Sequence, residues 1–229
     1  MKTPKTIYRF VGLNDVDRLQ QTFIESKLYL AAPSQFNDPF EFKPKRMSWD
    51  GPDSDDPQVK QGTDRSLDIL YHGVCEQLDN YGVCCFSKKR NDVLMWSHYS
   101  EKHTGACLGF DSSNEFFRNL RQVDYRSERH DIDLKKGLAN VKDQRDIVFK
   151  VMLRKLHSWR YEQEWRLLEQ RGKQLVSFPP DILKSVIFGA HCPEPRIRLV
   201  KILLGNRKVD FYRAEIDKYN YRLNILPCP

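Results

Sequence analysis

What the chain lacks narrows it first. None of its six cysteines forms a C-x-x-C pair. Cys75, Cys84, Cys85, Cys107, Cys192 and Cys228 are scattered, mostly inside apolar runs, which argues against a zinc site or a disulfide framework and for buried reduced thiols. No glycine-rich phosphate loop and no G-x-G-x-x-G turn is present, which argues against a doubly wound nucleotide fold. The cluster Asp53, Asp55 and Asp56 lacks the glycine-punctuated spacing of a calcium loop, so no metal is expected. No apolar run approaches the roughly 18 residues that span a bilayer. The N-terminal MKTPKTIYRF lacks the apolar centre of a secretory signal. The expectation is a cytoplasmic protein with no membrane partner. No internal repeat is visible.

What is there is ordinary for a globular protein: 229 residues, 40% apolar and 30% charged. That length makes one large domain or two small ones. The net charge of +7 is uneven. Residues 1–115 hold 14 Lys+Arg against 17 Asp+Glu, a balance of −3, and residues 116–229 hold 24 against 14, a balance of +10. A basic half suits the phosphates of nucleic acid or of a dinucleotide. It also suits a plain solvated surface, because most of these cations have an acidic neighbour within a few positions.

The densest stretch is Tyr81 to Asp111. Val83 to Phe86 reads as a short strand ending at Ser87. A basic turn, Lys88-Lys89-Arg90, follows. Asn91 or Asp92 can cap a helix that carries Met95, Trp96, His98 and Tyr99 and stops near Gly105. Ala106 to Phe110 then reads as a buried strand. Ser87, Trp96, His98, Tyr99 and His103 are thereby brought close together. Trp96 and Tyr99 are equally suited to a core and to stacking on a ligand.

Around it, Thr6 to Val11 reads as a first strand with Arg9 inside it. A charge there must be paired, exposed at an edge, or turned to a ligand. Asn14 or Asp15 caps a helix to about Ser26, with Leu19 and Phe23 on its inner face. Leu28 to Ala32 is a second strand, and PSQFNDPFEF an ordered turn whose Phe36, Phe40 and Phe42 need burial. Residues 43–63 read as a flexible loop insertion. A helix follows from about Asp64 to Asn80, with Leu67, Leu70, Val74 and Leu78 on one face. After Phe110 come a short helix over Ser113 to Leu120 and a strand at Val123 to Tyr125. A long helix is predicted from about Asp131 to His157, with Lys155 on its solvated face.

The second dense stretch is HSWRYEQEWRLLEQ, residues 157–170. If extended, its alternation places Glu162, Glu164 and Arg166 on one face and Tyr161 and Trp165 on the other. Two carboxylates so placed can serve catalysis, one holding a substrate hydroxyl and one steadying a developing positive charge. They can equally be a ladder of Glu–Arg pairs. Further strands are read at Val176, Leu183 to Phe188, Val200 to Leu204, Val209 to Ala214 and Tyr221 to Leu226. The predicted fold is α+β: a single domain over 1–229, with a mostly antiparallel sheet, whole or split, packed with helices.

Tyr8-Arg9-Phe10, Phe36-Asn37-Asp38-Pro39-Phe40-Glu41, Phe86-Ser87, Met95-Trp96-Ser97-His98-Tyr99, His103-x-Gly105, Trp159-x-Tyr161-Glu162-x-Glu164-Trp165-Arg166 and Phe188-Gly189 together resemble a bacterial family, the domain of unknown function numbered 2971. The order of elements is also similar to the ADP-ribosyltransferase superfamily: Arg9 on a first strand, Ser87 ending a middle strand, and Glu162 or Glu164 opening a late strand before Phe178-Pro179-Pro180. The chain lacks the Ser-x-Ser run of the arginine-modifying members, so the resemblance does not name the acceptor residue. It implies an ADP-ribosyltransferase-like fold and an NAD-dependent transferase, of the kind used as toxins or defence effectors. NAD would be the substrate and a protein or nucleic acid the acceptor. Glu164 would steady the ribose cation and Glu162 steer the acceptor, as two carboxylates do in glycoside hydrolysis. Ser87 would orient the glutamate, Arg9 would hold pyrophosphate or ribose, and Trp96 or Tyr99 would sandwich the nicotinamide, with His98 and Asn37 nearby in the cofactor site. Two alternatives are a non-catalytic nucleic-acid-binding module using the basic C-terminal half, and a nuclease holding a metal on Glu162, Glu164 and Asp38.

Overall fold

The computed structural model describes residues 3–45, 57–129 and 141–229. Residues 46–56 of the expected loop and 131–140 of the expected long helix lie outside the described residues. Eight strands form one mostly antiparallel sheet. In chain order they are β1 (Thr6–Val11), β3 (Tyr81–Ser87), β4 (Ala106–Asp111), β5 (Leu120–Gln122), β8 (Glu164–Gln170), β10 (Leu183–Phe188), β11 (Asp210–Ile216) and β12 (Leu223–Pro227). Their order across the sheet is β12-β11-β10-β4-β1-β3-β8-β5. Only β10 and β11 run parallel within it. Two small ladders stand apart: β2 (Lys27–Leu30) with β9 (Gln174–Ser177), and β6 (Asp124–Arg126) with β7 (Arg154–Leu156). This is the α+β domain with a largely antiparallel sheet that the pattern predicts.

The sheet is nearly split in the middle. β1 and β4 pair along all six residues, from Thr6–Asp111 to Val11–Ala106. β3 and β8 pair along all seven. Yet β1 and β3 meet at a single register pair, Tyr8 and Ser87. Past that point the ladder stops, and the Cys85 carbonyl accepts a hydrogen bond from Nη1 of Arg9 at 3.2 Å instead. Val83, in turn, bridges to Ala31.

Three apolar cores hold this frame. Ile7, Leu108, Phe110, Val186 and Phe188 pack one face of the sheet under Leu19 and Phe23. Those two belong to α1 (Val16–Leu19), capped by Asp15, and to the π-helical turn Gln20–Ile24 that continues it. The other face carries two separate clusters. Phe10, Cys107, Ile187 and Ala214 pack with Met95 and Trp96 of α3 (Val93–Tyr99). Val83 and Leu168 pack with Leu78 of α2 (Pro57–Asp79) and with Val148, Val151 and Met152 of α4 (Val141–Met152). The side chain of Asp92 caps α3 as its position suggests, accepting from the Leu94 and Met95 amides. Among the described residues no helix is long and apolar enough to cross a membrane.

Several readings are corrected. α2 begins at Pro57 rather than Asp64, which removes 57–63 from the loop. The long helix ends at Met152, and Lys155 lies on the short strand β7, buried rather than on a solvated face. Residues 200–204 belong to a helix, α5 (Glu194–Leu204), not a strand. Its buried Ile197, Val200 and Leu204 keep helical spacing, which the short run VKILL conceals. Residues 157–162 are a 3-10 helix rather than extended chain.

His103-x-Gly105 and Phe188-Gly189 serve one structural feature. Glu101, Lys102 and His103 are all left-handed, with φ of 50°, 56° and 69°. Such a run is costly for residues with a Cβ and must be held from outside. The His103 amide donates to Trp96, the His191 amide to His103, and the Gly189 amide to Gly105. A Cβ on Gly189 would collide with the His103 carbonyl, and one on Gly105 with the Val11 carbonyl. Backbone crossing at contact distance, not ligand binding, explains both glycines.

Candidate functional site

Register dictates which side chains meet. Tyr8 faces Ser87 across β1 and β3, and Ser87 faces Glu164 across β3 and β8. Paired residues share a face, so the three form a row on the side between the α3 cluster and the α2–α4 cluster. A cavity of about 450 Å³ opens there. Its walls include Tyr8, Arg9, Phe36, Asn37, Glu41, Cys85, Ser87, His98, Tyr99, Lys155, Glu162 and Glu164. Of the residues singled out from the sequence, Arg9, Asn37, Ser87, His98, Tyr99, Glu162 and Glu164 all border this one space.

Trp96 does not, and its expected stacking on a ligand is corrected. It is fully buried, edge-on to Phe10 at 5.2 Å, and its indole N–H donates to the Arg90 carbonyl at 2.8 Å. On α3 the side chain at 96 points into the core, while His98 is exposed at the cavity rim and Tyr99 half-buried.

The floor of the cavity is a buried ion cluster. Nζ of Lys155 donates to three carboxylates: Glu41 at 2.7 Å, Glu162 at 2.6 Å and Glu164 at 3.0 Å. Arg166 is fully buried, with Nε on Glu164 at 2.7 Å and Nη2 on Glu41 at 2.7 Å. Its Nη1 donates to the Met152 carbonyl, and its plane lies over the Phe42 ring at 4.6 Å. Glu41 thus ties the turn from Pro33 to Lys43 onto the sheet. The Glu–Arg pairing read from the alternation is present in Arg166 and Glu164, whereas sequence reasoning missed Glu41 as a cluster member although it stands inside a motif piece. It missed Lys155 because nothing in its own neighbourhood marks it.

The two glutamates reach the cluster by a device the alternation did not foresee. Glu162 ends the 3-10 helix, Glu164 opens β8, and Gln163 between them is left-handed with φ of 45°. The kink turns both carboxylates the same way. The Ser87 hydroxyl donates to the Glu162 carbonyl at 2.5 Å and accepts from the Lys89 amide at 3.0 Å. Ser87 therefore fixes the backbone that carries Glu162 rather than its carboxylate.

Their electrostatics differ. Burial pushes the Glu162 carboxyl up to about 7, with Glu164 adding to the push and Lys155 opposing it. Burial would raise Glu164 too, but Arg166 and Lys155 outweigh it and hold that carboxyl well below the usual range. Lys155 stays charged: burial works against its ammonium, and Glu164, Glu41 and Glu162 more than compensate. The Tyr99 hydroxyl donates to Oε1 of Glu162 at 2.7 Å. Burial and the adjacent Glu162 raise its pKa far enough to keep it protonated. With Glu162 neutral, two carboxylates balance two cations; with Glu162 ionised, the cluster carries one excess negative charge.

Arg9 also borders the cavity. Its Nη1 is held by the Cys85 carbonyl and the Cys84 sulfur. Among the described residues its guanidinium has no carboxylate partner, and it lies over the Phe86 ring at 6.0 Å. Asp38 takes no part in the ion cluster. The Lys155 ammonium fills the centre among three carboxylates that a metal ion would need, and among the described residues no group of His, Cys, Asp or Glu is arranged to hold one.

The sequence model of a family described as a protein of unknown function (DUF2971) matches residues 95–167. That segment runs from α3 into β8 and carries Tyr99, Lys155, Glu162, Glu164 and Arg166. No curated protein and no solved structure matches the chain.

Proposed function

We propose that the chain is an NAD-dependent ADP-ribosyltransferase that cleaves the nicotinamide–ribose bond in this cavity and passes ADP-ribose to an acceptor. The observation that carries the reading is the pairing, in one space, of an arginine with no carboxylate partner among the described residues and a buried carboxylate whose charge exceeds the cations around it. The volume of about 450 Å³ lies within the usual range of roughly 300–1,000 Å³ for small-molecule sites. Tyr8, Phe10, Phe36, Phe86 and Tyr99 supply aromatic wall, suited to planar rings. Arg9 suits a pyrophosphate through its planar donor fork. The reading rests on the site's chemistry rather than on a fold match.

The geometry favours Glu162 over Glu164 as the carboxylate that faces the ribose. Bond cleavage builds positive charge on the ribose carbon, and a nearby carboxylate stabilises that charge. Glu164 accepts three hydrogen bonds from two cations, Arg166 and Lys155, against a single cation on Glu162, so Glu164 anchors the cluster. Glu162 carries the excess charge, with Tyr99 and Lys155 fixing its orientation. Ser87 is a positioning residue for Glu162.

The test is thermal shift with NAD together with nicotinamide release, on the unaltered protein, Glu162→Gln and Arg9→Met. NAD should raise the melting temperature of the unaltered protein and of Glu162→Gln, but not of Arg9→Met. Nicotinamide release should fall by about 100-fold or more in Glu162→Gln, the scale expected for a lost charge-stabilising group. Release at an unchanged rate from Glu162→Gln, or no stabilisation of the unaltered protein by NAD, removes the proposal.

A further inference from the structure

We infer that the acceptor is a single-stranded nucleic acid, held in a second groove that backs onto Glu162. That the strand is the acceptor rests on the reading above; that it binds there does not. The groove, of about 440 Å³, is lined by Lys89, Ser158, Arg160, Tyr161 and Gln163. Among the described residues its lining holds two cations and no carboxylate. Among the described residues Arg160 has no ion-pair partner, and Lys89 reaches Asp92 only at 4.0 Å.

The groove is built by two segments locked together. The Lys88 amide donates to the Gln163 carbonyl at 3.1 Å, which joins the basic turn after β3 to the aromatic turn before β8. Ser87 reinforces the join through the Glu162 carbonyl and the Lys89 amide. Gln163 lies between the two cluster glutamates, and Tyr161 directly precedes Glu162. A chain lying in the groove therefore follows the turn that carries Glu162, whose carboxylate faces the first cavity.

Tyr161 of the groove has two rings near it, Trp159 and, beyond that, His98 at the rim of the first cavity. Trp159 lies 6.0 Å from Tyr161 and 6.5 Å from His98, with His98 exposed and the other two half-buried. The ammonium of Lys155 lies beneath Trp159 at 5.1 Å. Burial and Glu162 raise the Tyr161 hydroxyl to about 12, so it brings no negative charge to the groove. Cations that track a backbone, alternating with rings on which bases stack, are the recognition chemistry of single strands. A duplex would offer its phosphates but not its base faces. An acidic peptide would use the cations and leave the rings without a role.

The experiment measures fluorescence anisotropy of a labelled 12-nucleotide single strand, without NAD, across a salt series. The proteins are the unaltered chain, Lys89→Met/Arg160→Met, and Lys89→Arg/Arg160→Lys, which keeps the charge. For single strands the logarithm of affinity falls with the logarithm of salt by about 0.7 per phosphate contact, so the doubly neutralised protein should show a slope shallower by about 1.4. The charge-keeping variant should retain the parental slope, and melting curves confirm that all three fold. With NAD added, ADP-ribose should appear on the oligonucleotide. Salt-independent or absent binding, an unchanged slope after neutralisation, or label transferred only to protein overturns the inference. If the strand binds as described while nicotinamide is never released, the groove stands and the NAD reading falls. If nicotinamide is released and no strand binds, the reverse holds.

Discussion

Glu162 offers a measurement that needs no substrate. Its carboxyl is raised to about 7 in the folded protein from an ordinary 4.5. A carboxylate with a raised folded pKa binds its proton more tightly folded than unfolded, so its contribution to stability is greatest below pH 4.5 and declines as pH rises to about 7. At 1.36 kcal/mol per pH unit, the interval amounts to about 3 kcal/mol. Glu164 does not titrate in this window when folded, because Arg166 and Lys155 keep it ionised. His103 works in the opposite direction: burial and His191 lower its pKa, so its contribution to stability grows as pH rises through about 6.5. Glu162→Gln isolates the glutamate. Its amide oxygen can accept from Lys155 and its amide nitrogen can donate to Tyr99. Urea denaturation at pH 5, 6, 7 and 8 should show the variant close to the unaltered protein at pH 5 and more stable by about 3 kcal/mol at pH 8, with the His103 contribution cancelling in the difference. A difference that stays constant from pH 5 to 8 refutes the assignment of the excess charge to Glu162.

The remaining expectations concern what holds the site. Lys155→Met leaves three carboxylates facing one guanidinium and should cost about 3–5 kcal/mol, more at pH 8 than at pH 5, measured by the same urea series. Gly189→Ala drives a methyl into the His103 carbonyl and should destabilise by about 1–3 kcal/mol or more, read as a lower urea midpoint at unchanged slope. Asp92→Ala removes the cap of α3 and should cost about 1 kcal/mol. Trp96→Phe loses the bond to the Arg90 carbonyl and should lower the melting temperature while leaving the NAD-induced shift intact, since Trp96 lies outside the cavity.

The frame was largely legible because its signals are local. Alternation in TIYRFV and the apolar runs YGVCCFS and ACLGFD mark central strands. Asp15 and Asp92 mark helix starts, and both act as caps. The failures are places where a local signal is shorter than the element it must identify. VKILL is five residues of an eleven-residue helix, and its period emerges only with Ile197. HSWRYE carries alternating aromatics, yet the chain coils there because Gln163 turns left-handed and Ser87 holds the Glu162 carbonyl. No neighbour of Lys155 announces that its ammonium will meet Glu41, which is 114 positions away along the chain, so its burial is a purely tertiary fact. The candidate site was legible in its members but not in its wiring. Trp96 shows the same limit from the other side: an indole beside a histidine and a tyrosine reads alike whether the helix turns it to a ligand or to Phe10.

The wiring itself argues for more than structural support. A buried ion cluster that only had to hold the turn from Pro33 to Lys43 against β8 would do best with matched charges, and often better with apolar residues of similar volume. Here Glu41, Glu164, Lys155 and Arg166 already balance and already satisfy one another. Glu162 adds a third carboxylate that the balance does not require. It is brought in through a left-handed Gln163 and held by Ser87 and Tyr99 at the wall of a cavity. Strained backbone and surplus buried charge are both unfavourable for folding, and both converge on this one side chain. The unfavourable terms are retained where chemistry uses them, which is why the excess carboxylate, rather than the more completely bonded Glu164, carries the functional reading.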